Sequence, residues 1–277
     1  MDQGDRPLEG RVALVTGASS GIGAALAVAF AESGATVGIC ARRADRLTEV
    51  AQRCRAHAPD SRSWTVDLAD LDAVGDFARR ADVELGGVDL LVNNAGIPKR
   101  RRVEETSDAE VDQVLAINFI SPVRLTTALL PRMLTRGRGQ ILNVSSVAAR
   151  LSPPGEAAYA ASKAALTAWS ESLAVELWDT PLEVHLLNPG VVDTELFHLP
   201  DNDPMLANVD PVPTATVVSE VLRQLDDPLA IERYVPAWFG DVANAKANDL
   251  VGYLTGSAEW YRDARAQAAD TSASGGR

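Results

Sequence analysis

Along the first two thirds of the chain, short β-branched apolar runs alternate with longer stretches of helical spacing, the pattern of a parallel sheet with crossover helices. Strands are predicted at Arg11–Thr16, Thr36–Ala41, Ser63–Val66, Asp89–Asn93, Gln140–Ser145, Glu183–Asn188 and Glu232–Val235. Runs such as Val12-Ala13-Leu14-Val15 and Leu90-Leu91-Val92 stay apolar without alternation, as expected where helices cover both faces of a sheet. The pattern therefore predicts an α/β fold with one doubly wound sheet of about seven parallel strands. Ser107-Asp108-Ala109-Glu110 reads as a capping box opening a helix through Asn118 towards Met133, with Pro122 placed to kink it. Between Pro189 and Pro213 five prolines break the pattern, so residues 189–213 form a long connection of the kind that often carries function. Met1–Glu9 and Asp270–Arg277 read as frayed, disordered ends.

Composition narrows the function classes. The 277 residues are 46% hydrophobic and 23% charged, which suits one globular domain spanning the whole chain. A net charge of -12 makes a poor partner for nucleic acid or an anionic lipid surface. Two cysteines, Cys40 and Cys54, match no disulfide, zinc or redox spacing and point to a reduced, cytoplasmic setting. The polar start lacks the pattern of a signal peptide. The longest apolar run, Ala24–Ala31, falls short of the about 20 residues a membrane helix needs, so no membrane span is expected. His57, His185 and His198 show no ligand spacing, and no metal is expected.

Two segments carry chemistry. The first strand runs into Thr16-Gly17-Ala18-Ser19-Ser20-Gly21-Ile22-Gly23 and then an Ala-rich helix, the context of a dinucleotide site. Gly17 can make the tight turn, Gly21 lets the backbone approach a pyrophosphate, and Gly23 allows close packing while the helix start offers N–H groups to the anion. In Tyr159-Ala160-Ala161-Ser162-Lys163 a separation of four places a phenol and an ammonium on one helix face. The cation would favour phenolate and bring the tyrosine towards a working acid-base range.

These segments, with Asn93-Asn94-Ala95-Gly96, Ser145-Ser146 and Pro189-Gly190 in order, resemble the short-chain dehydrogenase/reductase family in its compact Rossmann branch, over roughly residues 8 to 235. The resemblance implies that Tyr159 is the general acid in carbonyl reduction and that Ser146, thirteen residues earlier, binds the carbonyl oxygen. It implies that Lys163 holds the nicotinamide ribose and lowers the Tyr159 pKa, and that Asn118 helps hold a water in a proton relay. Cofactor contacts are implied at Gly17, Ser19, Ser20, Gly21, Ile22, Gly23, Asp67, Leu68, Asn94, Ala95, Gly96, Pro189, Gly190, Val192 and Thr194, besides Tyr159 and Lys163. On the residues alone, Asn94 could equally be a staple between sheet and helix, and Asp67 could cap the next helix.

Cofactor choice is read at the end of the second strand. Ala41 stands where an NAD enzyme has a ribose-binding acid, and Arg42 follows with Arg43 and Arg46 nearby, which favours NADPH/NADP+ over NADH. The expected reaction is hydride transfer between nicotinamide and a small to medium, largely apolar ketone, aldehyde or secondary alcohol. Two alternatives are a 3-oxoacyl thioester reductase and a non-catalytic NADPH-binding regulator. The run Lys99-Arg100-Arg101-Arg102 would dock the anionic carrier of a thioester, or is simply a solvated surface. Six of fourteen aromatics fall from Tyr234 onward, so residues 236–269 form an extra helical segment that packs on the core or a subunit interface, covers substrate or faces a membrane. The resemblance also implies a homo-dimer or homo-tetramer, with Ser107–Met133 and Tyr159–Asp179 at a two-fold interface.

Overall fold

The computed structural model describes residues 7–199, 201–207 and 209–274. The elements run β1 (Val12–Thr16), α1 (Gly21–Glu32), β2 (Thr36–Ala41), α2 (Ala44–Arg55), β3 (Arg62–Thr65), α3 (Leu71–Leu85), β4 (Leu90–Asn93) and α4 (Asp108–Leu115). They continue through α5 (Ser121–Arg136), β5 (Gly139–Val144), α6 (Ala148–Leu151), α7 (Ala157–Glu176), β6 (Leu182–Pro189), α8 (Thr214–Leu225), β7 (Glu232–Val235), α9 (Phe239–Asn248) and α10 (Leu250–Ser274). All strand pairs are parallel, in the order β3-β2-β1-β4-β5-β6-β7. This is the doubly wound sheet expected from the pattern, with strand ends shifted by about a residue.

Alternate side chains of β1 feed two cores. Ala13 and Val15 pack with α1, α2 and α8, through residues such as Phe30, Leu47 and Val221. Leu14 packs on the other face, with Phe77 of α3, Leu125 and Leu129 of α5, and Leu173 of α7. Covering both faces is what makes these strands continuously apolar. The order reverses between β1 and β4, so crossovers leave in opposite directions and a crevice opens beyond the C-terminal ends of these strands.

The predicted capping box is present: Ser107 Oγ accepts from the Glu110 amide and the Glu110 carboxylate accepts from the Ser107 amide at 2.8 Å. The helix it opens is not one kinked rod. A π-helical turn, Ala116–Ile120, separates α4 from α5. Pro122 has no N–H to offer the Asn118 carbonyl four residues back, and the chain takes the wider π-helical turn there. By length and composition the run Asp108–Arg136 would suffice for a membrane span, but nearly half of its most apolar stretch is buried in the fold, with Leu125, Leu129 and Met133 in the core beneath.

The expected frayed ends are shorter than the sequence suggests. Leu8 is buried and its amide donates to the Ser33 carbonyl, while α10 continues through Ser274. Residues 1–6 and 275–277, and Pro200 and Asn208 of the long connection, lie outside the described residues.

Candidate active site

The phosphate-side wall is built from backbone. Gly17 takes φ +67°, and a Cβ there would meet the Ala95 Cα at 2.7 Å, so the turn after β1 passes directly over the chain leaving β4. Asn94 holds that crossing: its Nδ2 donates to the Thr16 carbonyl at 2.9 Å, and its amide donates to Thr16 Oγ1 at 3.0 Å. Asn94 is thus a staple, and it also faces the cavity. A Cβ on Gly23 would strike that same Asn94 amide nitrogen and lie 2.7 Å from the Gly17 carbonyl oxygen, which gives Gly23 the packing role its place in the turn predicts. Ser20 stands at the N-cap of α1 without making a side-chain capping bond, so the first amides of the helix remain available to an anion. These features fit the diphosphate of a dinucleotide.

At the opposite rim of β2, Ala41 is buried and Arg42 reaches the cavity wall. Arg43 donates through Nε and Nη2 to Ser19 Oγ at 3.2 and 3.1 Å, and through Nη2 to Ser20 Oγ at 2.6 Å. Asp67 does not cap α3. Its carboxylate accepts from the Ala69 amide at 3.0 Å, turning the chain, while Asp70 supplies the cap.

The chemical groups converge at the ends of β5 and α7. Ser145 turns inward, its Oγ donating to the Lys163 carbonyl at 3.1 Å, whereas Ser146, whose Oγ accepts from the Ala148 amide at 3.1 Å, lines the cavity together with the Tyr159 phenol. Lys163 is buried, donates to the Val144 carbonyl at 2.8 Å and lies 6.0 Å from the Tyr159 ring centre. Asn118, at the π-helical turn, accepts from the Ile97 amide at 2.8 Å and donates to the Ile97 carbonyl and Ser162 Oγ, both at 3.0 Å. A Cβ on Gly96 would sit 3.2 Å from Asn118 Oδ1 and 3.4 Å from Lys163 Nζ, so a bare backbone is needed where these groups approach each other.

One electrostatic expectation is reversed. Burial pushes the Tyr159 phenol up to about 12, the Ser146 hydroxyl offsetting part of this, and Glu156 adds to the rise while Arg100 opposes it. Burial also pushes Lys163 down to about 8. Ser146 and Arg100 draw Tyr159 down, and burial outweighs both.

One cavity of about 870 Å³ gathers every expected cofactor and catalytic residue except Gly23 and Asn118, which stand behind its wall. Its far end is apolar and includes residues the sequence reading missed: Leu151, Pro153, Met205, Phe239, Tyr253 and Trp260. Tyr253 donates its hydroxyl to the Leu151 carbonyl at 3.1 Å and Lys246 donates to the Arg150 carbonyl at 2.7 Å, so α9 and α10 are tied across α6 as one wall of the cavity. Phe239 lies against Gly190, where any Cβ would enter the ring. Arg100 and Glu156 also line this end, and burial raises the Glu156 carboxyl while Arg100 opposes the rise. Arg100 entered the sequence reading only as part of the basic run, and for Glu156 only its closeness to Tyr159 along the chain could have drawn attention.

The basic run is partly built into the fold, with Arg100 on the cavity wall and Arg101 and Arg102 partly exposed. Lys99 and Arg100 are buried. Lys99 pairs with Glu110 at 2.7 Å and donates to the Asp201 carbonyl, and Arg100 Nε donates to the Asp203 carbonyl at 2.9 Å. Arg101 shares Glu110 and Arg102 pairs with Glu104. The run ties the long connection to the start of α4.

A family model described as short chain dehydrogenase matches residues 11–203. A short chain dehydrogenase of Pseudocercospora fijiensis is 42% identical over 191 residues, which is 68% of this chain and 62% of that protein, so the chain spans under two thirds of that relative. A short-chain dehydrogenase from Streptomyces avermitilis has a similar structure, with TM-score 0.78 and 31% identity over 93% of this chain and 98% of its own. One from Sphingobium yanoikuyae, solved in complex with NADPH, gives TM-score 0.76 and 27% identity over 87% of this chain and 95% of its own. The same fold also occurs in a structure solved with NAD.

Proposed function

The chain belongs to the short-chain dehydrogenase family, and from that premise we propose that it is an NADPH-dependent oxidoreductase of carbonyl and secondary alcohol groups on small to medium, largely apolar substrates. The observation that carries this reading is that the Ser146 and Tyr159 side chains stand together on one cavity that joins a glycine-lined trough to an apolar chamber. A bound nicotinamide supplies or accepts the hydride. In reduction, charge develops on the carbonyl oxygen, where the two hydroxyls are already in place to stabilise it and Tyr159 gives its proton. A phenol kept protonated by burial is suited to the acid role. Lys163, fixed by the Val144 carbonyl, holds the ribose, and Asn118 holds the water through which Tyr159 is reprotonated. The Asn118 carbonyl, denied the N–H of Pro122, is the acceptor offered to that water.

Phosphorylated cofactor is favoured by Ala41 and by the Arg42 and Arg43 guanidiniums on the cavity wall. A free ketone, aldehyde or alcohol is favoured over a carrier-bound thioester because Lys99, Arg101 and Arg102 are committed to Glu110 and Glu104. The enzyme acts as a cytoplasmic homo-oligomer; two buried free thiols and the exposed Val175 and Trp178 at the end of α7 support this.

The test is a panel of ketones, alcohols and acyl thioesters followed by nicotinamide absorbance with each cofactor. Turnover of apolar ketones or alcohols is expected. Turnover of thioesters alone would replace the substrate reading, and tight cofactor binding without any turnover would make the chain a regulator. In Ala41→Asp/Arg42→Ala the kcat/KM ratio should swing towards NADH.

A further inference from the structure

We propose that Glu195 opposes the 2′-phosphate of the cofactor, so that the balance between NADPH and NADH is set from the substrate-loop side of the cavity as well as from β2. This rests on the cofactor reading above and refines it.

Glu195 opens the short helical turn Glu195–His198 directly after Thr194, in the long connection that follows β6. Its carboxylate receives Arg43 Nη1 at 2.9 Å and also pairs with Arg46. One acid therefore straddles two of the three cations gathered at the end of β2, although it lies 152 residues away in sequence. Arg43 and Glu195 both line the cavity, and the same Arg43 fork reaches Ser19 and Ser20 of the glycine-rich turn. The arginine that spans from β2 to the phosphate turn is thus already occupied by a carboxylate.

A 2′-phosphate carries about two negative charges. To use the Arg43 fork it must either displace Glu195 or bring a second anion to a guanidinium that already holds one. Both routes weaken binding of the phosphorylated cofactor. Neither touches a cofactor with a free ribose hydroxyl, which needs no cation there. The two pairs are about half exposed, which places the effect in the range of an exposed ion pair, about three- to fivefold in affinity. Displacement would also reach the loop. Thr194 Cγ2 stands 3.1 Å from where a Gly21 Cβ would be, so the segment that Glu195 anchors lies directly on the phosphate turn.

The test uses the full chain and fragments that differ only in the group at issue, 2′,5′-ADP and 5′-AMP, with affinities measured by calorimetry. Glu195→Gln keeps the size of the side chain and removes its charge. It should tighten 2′,5′-ADP about three- to fivefold and leave 5′-AMP unchanged, with the NADPH to NADH ratio of kcat/KM rising in step. Equal changes for both fragments would mean that Glu195 only latches the loop, and no change or weaker 2′,5′-ADP binding would overturn the inference outright. Arg42→Ala separates the two levels. If it weakens 2′,5′-ADP while Glu195→Gln does nothing, the cofactor reading stands and the Glu195 inference falls; if neither variant moves 2′,5′-ADP, both fall.

Discussion

At the β1–β4 end of the cavity the wall is main chain, made of Gly17, Gly21 and the amides of α1, with Asn94 pinned to Thr16 and β4 wholly buried behind. At the α9–α10 end the wall is side chains, chiefly Phe239, Tyr253 and Trp260, on helices whose outer residues Leu250, Val251 and Leu254 face solvent. The first end accepts one ligand shape because backbone cannot be exchanged by mutation without moving its neighbours. The second can change its lining residue by residue while the sheet stays as it is. Tyr159 and Ser146 line the same cavity, so on the proposed function the chemistry belongs to the rigid end and the choice of substrate to the adaptable one.

The sharpest way to break this division is Tyr159→Phe. It removes a transferable proton and almost no volume, so kcat should fall by about 10²–10⁴-fold while cofactor affinity stays within about twofold. Retention of a tenth of the rate in stopped-flow assays would dismiss Tyr159 as the acid.

Next in size is the buried ammonium. Lys163 is held down to about 8 in the fold against 10.5 in an open chain, so the unfolded state binds more protons between those values. Stability should therefore rise with pH above about 8 and be lost as pH falls through it. Tyr159, pushed up to about 12, acts in the opposite sense only above 10. Comparing the stability of the parent and Lys163→Met from pH 7 to 9.5 should show the parent gaining on the variant by about 2 kcal/mol. Parallel curves would mean that the fold does not strain this lysine.

Two glycines sharpen the contrast between the ends. Gly23→Ala drives a methyl into Asn94 and the Gly17 carbonyl and should cost about 1–3 kcal/mol in denaturant unfolding. Gly256→Ala, on the cavity face of α10 with nothing within 4 Å, should be neutral or gain up to about 1 kcal/mol from helix propensity. At the apolar wall itself, Trp260→Ala should raise substrate KM about fivefold and leave cofactor KM unchanged. An equal rise in both would show that α10 shapes the whole cavity.

What was legible in the sequence tracks how local its cause is. The glycine-rich turn, the Tyr159–Lys163 spacing and the apolar strands each depend on residues within a few positions, and each takes the local form expected of it. Lys99 and Arg100 were misread because a run of like charges says nothing of Glu110 or of the carbonyls at 201 and 203 that absorb it. Tyr253 and Trp260 entered the reading only as an excess of aromatics, since their place on the cavity depends on how α10 returns across α6. Pro122 was read as a kink, whereas its consequence is felt at the Asn118 carbonyl in the turn before it.

The ring of Phe239 resting on the bare backbone of Gly190 bears on how such a protein can be rebuilt. The glycine follows the sheet's β6 strand and the ring begins the C-terminal helices, so each fills the space the other leaves. A tail grafted from a relative therefore has to arrive with a flat residue at its first turn, or the sheet will meet it with a gap. The C-terminal helices are an interchangeable part only together with the glycine they close upon, and chimaeras cut between Gly190 and Phe239 will separate a matched pair.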